Sequence, residues 1–369
     1  MNERMKVSSR RFFLIAFLQC ALLGVFVSYM NTSLSTTIMN ARTLSLQQAD
    51  PHLTAADVNN LIKKVDLVHP KPKNYDPPKL AWLLSFPNSG ASYTLNLISR
   101  LSHTYVATNY GDDNKKDLRA SFPVYQDQSE VGPFWLNLTL YPNYTYPKEF
   151  VIVSTQCGAR CESCGPSQYA ETTYSFRRAC QCGTRRTVQN GTTAYSEVLY
   201  PTTRLEKAIH LIRDPFDNVV ARFLADTRSG PGGIVFNKTK ESFRDYCRGL
   251  NKKIVDEENK SVLVDKTWSN LSKDIPCRAD FFRWIEWHSQ AFHLTNDMQL
   301  EVLVLDHESY RTQNFNATCN RLLEFLGLIR HDDPEPFVDD ETIHHLYFTP
   351  DERKRMGIVI KQMASNVAW

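Results

Sequence analysis

The sequence has almost no net charge and no Walker A phosphate-binding motif. Of its 369 residues, 43 are Lys or Arg and 40 are Asp or Glu, and residues 1–11 hold four of these bases and one acid. The rest of the chain therefore has 39 residues of each sign, so bulk charge argues against nucleic acid as a partner. Because Gly, four residues and Gly-Lys-Ser/Thr occur nowhere in succession, the sequence does not predict a Walker-type kinase.

One stretch holds no charged residue at all. Residues 12–30 form an apolar run of nineteen, which is long enough to cross a bilayer. The bases before it are Arg4, Lys6, Arg10 and Arg11. The positive-inside rule then predicts a cytosolic tail at 1–11, a type II signal anchor at 12–30 and a lumenal remainder. A cleaved signal peptide is the alternative.

The chain beyond this run has the features of a lumenal protein. Its Asn-x-Ser/Thr sequons stand at Asn31, Asn137, Asn143, Asn190, Asn237, Asn259, Asn270 and Asn316. Of nine cysteines only Cys20 lies in the apolar run, which leaves an even number, as expected for disulfides in an oxidising compartment.

The cysteines are unevenly spaced. Five lie close together, at Cys157, Cys161, Cys164, Cys180 and Cys182. We expect a disulfide-stapled loop there, with a zinc site as the alternative. Cys247 and Cys277 bracket a polar segment that contains sequons, and we expect them to pair with each other. The sequence leaves the other pairings open.

The chain divides by composition into a spacer and one large domain. Residues 31–78 are polar with a Pro-rich end, typical of an extended stem, and 79–369 form the expected lumenal domain. Apolar periodicity predicts strands at 80–86, 149–154, 207–212 and 301–306, and helices at 90–103, 216–226, 278–294, 316–327 and 350–363. Strands that alternate with helices predict an α/β fold with a parallel sheet. Residues 227–277 are predicted to form a surface insertion over the acceptor cleft.

The most informative segment is 81–94, AWLLSFPNSGASYT. A strand ends near Phe86, small residues make a tight turn, and a helix begins near Tyr93. Such a turn points backbone N–H groups at one spot, and the helix dipole adds positive potential there. Gly90 lets the backbone approach an anion closely. The segment therefore predicts a phosphate or sulfate site, unless it is an ordinary strand-to-helix turn.

A second segment, KAIHLIRDPFDNVVARF at 207–223, has the same strand–turn–helix order. Pro215 suits a helix start, and Asp214 can cap that helix. Arg213 stands at the carboxyl end of the strand, where open α/β sheets bind ligands, and a guanidinium suits a bidentate phosphate contact. The alternative is a structural Arg–Asp pair.

Together these segments resemble the donor-binding motifs of sulfotransferases. The 5′-phosphosulfate loop of that family corresponds to Phe86–Tyr93, and its 3′-phosphate motif corresponds to Arg213, Pro215 and Asp217. A late strand with Glu308 and a helix ending in Phe-Leu-Gly-Leu also resemble the family. The resemblance covers roughly residues 79–369 and is nearest to the membrane-anchored, lumenal branch.

The resemblance implies a fold, a donor and a set of site residues. The fold would be a parallel sheet like that of the P-loop nucleotide kinases, flanked by helices. The donor would be 3′-phosphoadenylyl sulfate, with no metal. The implied donor-binding residues are Asn88, Ser89, Gly90, Ala91, Ser92, Tyr93, Arg213 and Arg222, with Tyr93 near the adenine.

Three positions depart from the family pattern. The loop Lys that the family places at the leaving oxygen is Asn88, which carries no charge. The family Ser eight residues after the Arg is Ala221, for which Arg222 is a possible substitute. Where several relatives have a catalytic His after a strand, this chain has Gln156, which cannot accept a proton. Other candidate bases are His103, Asp112, Glu162 and His210, of which His210 fits a core position better.

The sequence thus predicts a Golgi type II membrane protein that transfers sulfate to a hydroxyl, most plausibly on a glycan. Asn88, Gln156 and His103 are its candidate catalytic residues. The first alternative is a protein that kept the fold and nucleotide binding but lost catalysis. A lumenal kinase or another anion-binding transferase is the second. The sequence does not specify the acceptor or an oligomeric state.

Overall fold

The computed structural model describes residues 78–110, 122–125, 133–136, 143–158, 172–189, 192–200, 202–229, 238–258, 270–311, 313–333, 336 and 344–364. The chain divides into two units, Met1–Tyr75 and Asp76–Trp369, and every described residue belongs to the second. The predicted tail, the apolar run at 12–30 and the stem up to residue 77 therefore lie outside the described residues. None of the described helices combines the length and apolar character needed to span a bilayer.

Within the described ranges, nine strands form two sheets. They are β1 Lys79–Ser85, β2 Ala107–Thr108, β3 Phe122–Pro123, β4 Phe134–Trp135, β5 Phe150–Thr155, β6 Cys182–Gln189, β7 Thr192–Leu199, β8 Leu205–Ile212 and β9 Glu301–Asp306. Seven of them make one sheet in the order β3-β4-β2-β5-β1-β8-β9. The strands β2, β5, β1, β8 and β9 are parallel, whereas β4 and β3 add antiparallel pairs at one edge. A separate antiparallel hairpin consists of β6 and β7.

Helices cover both faces of the large sheet. They are α1 Ala91–Ser102, α2 Thr173–Gln181, α3 Pro215–Ser229, α4 Lys240–Glu258, α5 Arg278–Asp297, α6 Phe315–Leu326, α7 His344–Tyr347 and α8 Pro350–Met363, with 3-10 turns at Thr202–Arg204 and His307–Tyr310. Successive side chains of β1 point to opposite faces. Trp82 packs in the core that contains α3 and α5, and Leu83 packs in the core that contains α1 and α6. The predicted α/β fold, a mostly parallel sheet flanked by helices, is confirmed.

The long predicted elements agree with the structure to within a few residues. The patterns missed the two-residue strands, the hairpin and the helices α2 and α4, which have no long apolar repeat. Within the predicted surface insertion at 227–277, α4 packs on the core through Phe243 and Cys247, which are buried. Trp284 and Trp287 of α5 are also buried.

Two disulfides join parts of the described chain. Cys247 bonds Cys277, as the sequence predicts, and this bond ties α4 to the start of α5. Cys157 bonds Cys180, which fastens the end of β5 to the end of α2. A disulfide therefore holds part of the Cys-rich region. Cys319 is a buried free thiol in α6.

The topology opens a crevice between the carboxyl ends of β1 and β8. These strands are neighbours in the sheet, yet α1 after β1 packs on one face and α3 after β8 packs on the other. The two strand-to-helix connections must therefore diverge. Such switch points are where open α/β sheets bind ligands, and both motif segments meet there.

Candidate functional site

The turn between β1 and α1 reverses the chain direction, so that α1 starts near the carboxyl end of β1. Asn88 and Gly90 take left-handed conformations, with φ of 62° and 98°. No side chain caps α1, and its first turn contains no acidic residue. The first backbone N–H groups of a helix have no acceptor within the helix, and here no capping side chain takes them up. This leaves donors and a positive dipole end suited to an anion.

Close packing makes Gly90 necessary at this turn. A Cβ atom at Gly90 would lie 2.7 Å from Cδ2 and 3.1 Å from Nε2 of His307. His307 follows β9 and is buried. Two features therefore require glycine at position 90: the positive φ, and the imidazole that fills the space where a Cβ atom would lie. No sequence motif identified His307; only its neighbour Glu308 drew attention.

The second motif segment reaches the same turn. Arg213 follows β8, and its Nη1 donates a hydrogen bond to the carbonyl oxygen of Asn88 at 3.0 Å. Asp214 Oδ1 accepts from the N–H groups of Phe216 and Asp217 at 2.8 and 3.1 Å, and so caps α3 as predicted. The two segments, 125 residues apart in the chain, therefore meet at one point.

Asn218 connects α3 to the turn, and sequence reasoning missed it. Its Nδ2 donates to the carbonyl oxygen of Pro87 at 2.8 Å and to Oγ of Ser89 at 3.0 Å. Asn218 and Ser89 are both buried. The available signal was a polar residue one position after the motif Asp, at the start of a helix.

The remaining loop residues differ in exposure. Ala91 and Tyr93 are half-buried, and Ser92 is exposed. The Tyr93 ring packs edge-on against Tyr310 with ring centres 5.2 Å apart. Burial raises the pKa of Tyr93 to about 12, with Cys319 adding to the effect. Tyr93 thus lies against the core beside α6, a position that gives no support to the predicted contact with adenine.

Gln156 lies at the same sheet edge, on the other side of β1. It follows β5, which pairs with β1. Its backbone N–H donates to the Tyr110 hydroxyl at 2.7 Å, and its carbonyl accepts from Nε1 of Trp287 at 2.8 Å. The backbone of Gln156 is therefore held on both sides.

Arg222 is engaged in a buried ion pair. Its Nη1 lies 3.3 Å from Oδ1 of Asp280, and its guanidinium lies 5.6 Å from the centre of the Phe86 ring. Arg283 contacts the same carboxylate at 3.2 Å. These contacts support a structural role for Arg222 and give no support to the predicted role in donor binding.

His103 lies away from the other candidates. It ends α1, whose twelve residues span about 18 Å, so it is at the opposite edge of the sheet. Its Nε2 lies 2.9 Å from Oδ2 of Asp332, and its ring stacks on Tyr144 and His331. The prediction that His103 acts as a base is therefore not supported by its position.

The other candidate bases are also remote or not described. His210 is a core residue, as expected, stacked on Phe292 with ring centres 4.1 Å apart, and burial lowers its pKa to about 3. Asp112 and Glu162 lie outside the described residues.

The charged groups beside the turn are paired. Burial, together with the charges of Arg213 and Arg311, lowers the pKa of His307 to about 4. Glu308 is half-buried, which raises its pKa, and its Oε2 lies 3.1 Å from Nη1 of Arg311. The imidazole of His307 is therefore neutral at pH 7.

One group of possible metal ligands occurs among the described residues. Ligand atoms of Asp214, Asp217 and His344 lie within 4.8 Å of one another. Asp217 already accepts from His344 Nδ1 at 2.8 Å, however, and Asp214 caps α3. Hydrogen bonds thus account for this cluster without a metal.

Comparison with known proteins does not assign the chain to a family. No family model matches it, and no curated protein sequence matches it significantly.

Proposed function

We propose that this chain transfers the sulfuryl group of 3′-phosphoadenylyl sulfate to a hydroxyl group of a glycan in the Golgi lumen. The hydrogen bond between Arg213 and the carbonyl of Asn88, 3.0 Å long, is the observation that carries the proposal. Two segments that each resemble a donor-binding motif could have been separate in the fold. They converge instead at the switch point of a parallel sheet, where nucleotide sites occur.

The residues at the switch point would supply two of the parts that sulfuryl transfer needs, a loop that binds the donor and a cation. The reaction breaks the bond from sulfur to the bridging phosphate oxygen and forms a bond to the acceptor oxygen, and the acceptor proton passes to water, because neither His103 nor His210 lies at the site. Proteins assist such transfers mainly by positioning and by stabilising charge. The N–H groups at the start of α1 would hold the 5′-phosphosulfate, and Arg213 would hold the 3′-phosphate.

The position of Arg213 also addresses the missing loop Lys. Asn88 is exposed and brings no charge, but the guanidinium of Arg213 contacts its backbone directly. A cation thus lies beside the residue at which the family uses one. This supports an active enzyme in which Arg213 supplies charge to the loop as well as to the 3′-phosphate.

Further observations are compatible with the proposed compartment and architecture. The three sequon residues that the structure describes, Asn143, Asn270 and Asn316, are all exposed, as N-glycosylation requires. The two disulfides suit an oxidising lumen. We extend the proposal to a nucleotide-kinase-like sheet arrangement, a type II anchor at 12–30, a stem to residue 78 and location in the Golgi membrane.

The test is transfer of labelled sulfate from 3′-phosphoadenylyl sulfate to a panel of glycans by the full-length protein in detergent. We expect wild-type transfer and a loss of about 10- to 150-fold in Arg213→Ala, because a charge-assisted phosphate contact is worth about 1.5–3 kcal/mol. Arg330→Ala is the matched control, since Arg330 bonds Asn316 and Asn320 on α6. Equal activity of Arg213→Ala and wild type would refute the proposed site.

A second candidate function is nucleotide or glycan binding without turnover. Asn88 and Gln156 favour it, because one removes the loop charge and the other cannot accept a proton. In that case adenosine 3′,5′-bisphosphate raises the melting temperature of the wild type, but not of Arg213→Ala, and no glycan in the panel accepts sulfate. Stabilisation by magnesium-ATP alone would favour a kinase instead.

A further inference from the structure

The buried pair of Asn218 and Ser89 determines which way a loop hydroxyl points. We propose that Asn218 is a positioning residue that turns the hydroxyl proton of Ser89 outward, as a hydrogen-bond donor to the bound anion. This inference rests on the proposed function, because it assumes that the loop after β1 binds a phosphate or phosphosulfate group.

The orientation of the Asn218 amide follows from one neighbour. Pro87 offers a carbonyl oxygen, which can only accept a hydrogen bond. The amide atom 2.8 Å from this oxygen must therefore be Nδ2, as the structure has it. An amide nitrogen carries two protons, so the second is directed to Oγ of Ser89 at 3.0 Å.

The amide then fixes the role of the Ser89 hydroxyl. Because Oγ of Ser89 accepts a hydrogen bond from Nδ2 of Asn218, the hydroxyl proton of Ser89 cannot point back at the amide. Ser89 is only 1% exposed, so bulk water does not readily take this proton. Among the described residues, the structure provides no acceptor for it. A buried donor without an acceptor is unfavourable, and an anion at the turn would satisfy it.

The amide oxygen of Asn218 suggests that this arrangement is not selected for stability. Asn218 is fully buried, and within the described part of the chain its Oδ1 has no hydrogen-bond partner. Unsatisfied buried groups of this kind are uncommon and costly. The amide therefore leaves one of its own atoms unsatisfied while it donates both protons to the turn, and Asn109 likewise has an unsatisfied amide oxygen, so a comparison of variants at the two positions isolates the contact with Ser89.

The test is a double-mutant cycle on the affinity for adenosine 3′,5′-bisphosphate, measured by calorimetry on the full-length protein in detergent. We expect Ser89→Ala to weaken binding roughly tenfold, the loss of one charge-assisted hydrogen bond. Asn218→Ala should weaken binding about as much, because without the amide nothing fixes the direction of the Ser89 hydroxyl proton. The double variant should be no weaker than Ser89→Ala alone.

Two further variants separate positioning from general damage. Asn218→Asp keeps the shape of the amide, but its carboxylate can only accept a hydrogen bond from Ser89, so the Ser89 hydroxyl would point toward residue 218. If Asn218→Ala fails to fold, Asn218→Asp replaces it in the double-mutant cycle. Asn109→Ala is the matched control, since Asn109 is an equally buried amide that donates to the carbonyl of Cys180. It should lower the melting temperature and leave the affinity unchanged.

Each result bears on the proposal. Losses that multiply in the double variant, or an unchanged affinity in Asn218→Ala, would overturn the positioning role while the proposed function stands. No binding of the bisphosphate to the wild type would refute the proposed function, and the inference with it. If the substitution of Asn218 weakens the binding of the bisphosphate only when Ser89 is present, the result supports both the positioning role and the proposed function.

Discussion

A small substitution at the turn after β1 tests the geometry on which the site depends. Gly90→Ala adds one methyl group where φ is 98° and where the new Cβ would lie 2.7 Å from the His307 ring. The left-handed conformation costs a non-glycine residue about 1–2 kcal/mol. Overpacking against a buried ring costs about 1–3 kcal/mol more. We expect a total of about 3 kcal/mol, or a melting temperature about 6–12 °C lower.

The chain provides two matched glycine-to-alanine controls, for which the expected change in stability has the opposite sign. Gly249 in α4 and Gly357 in α8 have no atom within 4 Å of an added Cβ. Replacement of a helical glycine by alanine stabilises a helix by about 0.5–1 kcal/mol. Gly249→Ala and Gly357→Ala should therefore raise the melting temperature slightly, whereas Gly90→Ala lowers it. Thermal unfolding of the three variants by calorimetry makes the comparison.

A second substitution isolates the contact with His307. In a His307→Ala background the Cβ at position 90 no longer meets a ring, so Gly90→Ala should cost only the backbone part, about 1–2 kcal/mol. If Gly90→Ala is as stable as wild type, or costs the same with and without His307, the described packing of the turn is incorrect.

Three other predictions follow from single contacts. The hydrogen bond to Asp217 raises the pKa of His344. The resulting stabilisation is complete below the pKa of the unfolded state, near 6.5, and disappears as pH rises through the pKa of the folded state. His344→Gln should therefore lower the melting temperature at pH 6 and much less at pH 8.5. Cys247→Ser with Cys277→Ser opens a 30-residue loop and should reduce the unfolding free energy by about 3–4 kcal/mol in a denaturant titration. Asn88→Lys should raise the sulfate-transfer rate if the loop lacks charge, and an unchanged rate would show that a cation is already supplied there.

The parts of the fold that the sequence predicted have a simple physical basis. Strand β1 and residues 208–211 of β8 are buried runs of mainly apolar residues, and β9 is an apolar run in which Leu303 and Leu305 are buried. Polar residues follow these runs, and such patterns leave few alternatives. The hairpin at 182–199 was missed because its strands mix Arg, Thr and Tyr without a sustained apolar face. The helix α4 was missed because its segment has three sequons nearby and is polar on average, although Phe243 anchors it in the core.

The candidate site was predictable only where a motif is continuous in the chain. The turn at 86–93 and Arg213 were found because each stands between a strand and a helix. His307 and Asn218 were not found, since their importance comes from contacts with Gly90, Pro87 and Ser89 that only the assembled sheet creates. Arg222 and His103 were plausible by residue type, but their partners in the fold are Asp280 and Asp332.

The pairing of charges around the crevice explains why an anion could bind there in an almost neutral protein. Acidic groups near the turn have partners of their own: Asp214 the N–H groups of α3, Asp217 the imidazole of His344, and Glu308 the guanidinium of Arg311. Arg213 donates to the neutral carbonyl of Asn88. Hydrogen bonds from a guanidinium to a phosphate are worth about twice as much as those to a neutral acceptor. If the proposed function is correct, local contacts of this kind, rather than bulk charge, would hold the sulfated nucleotide.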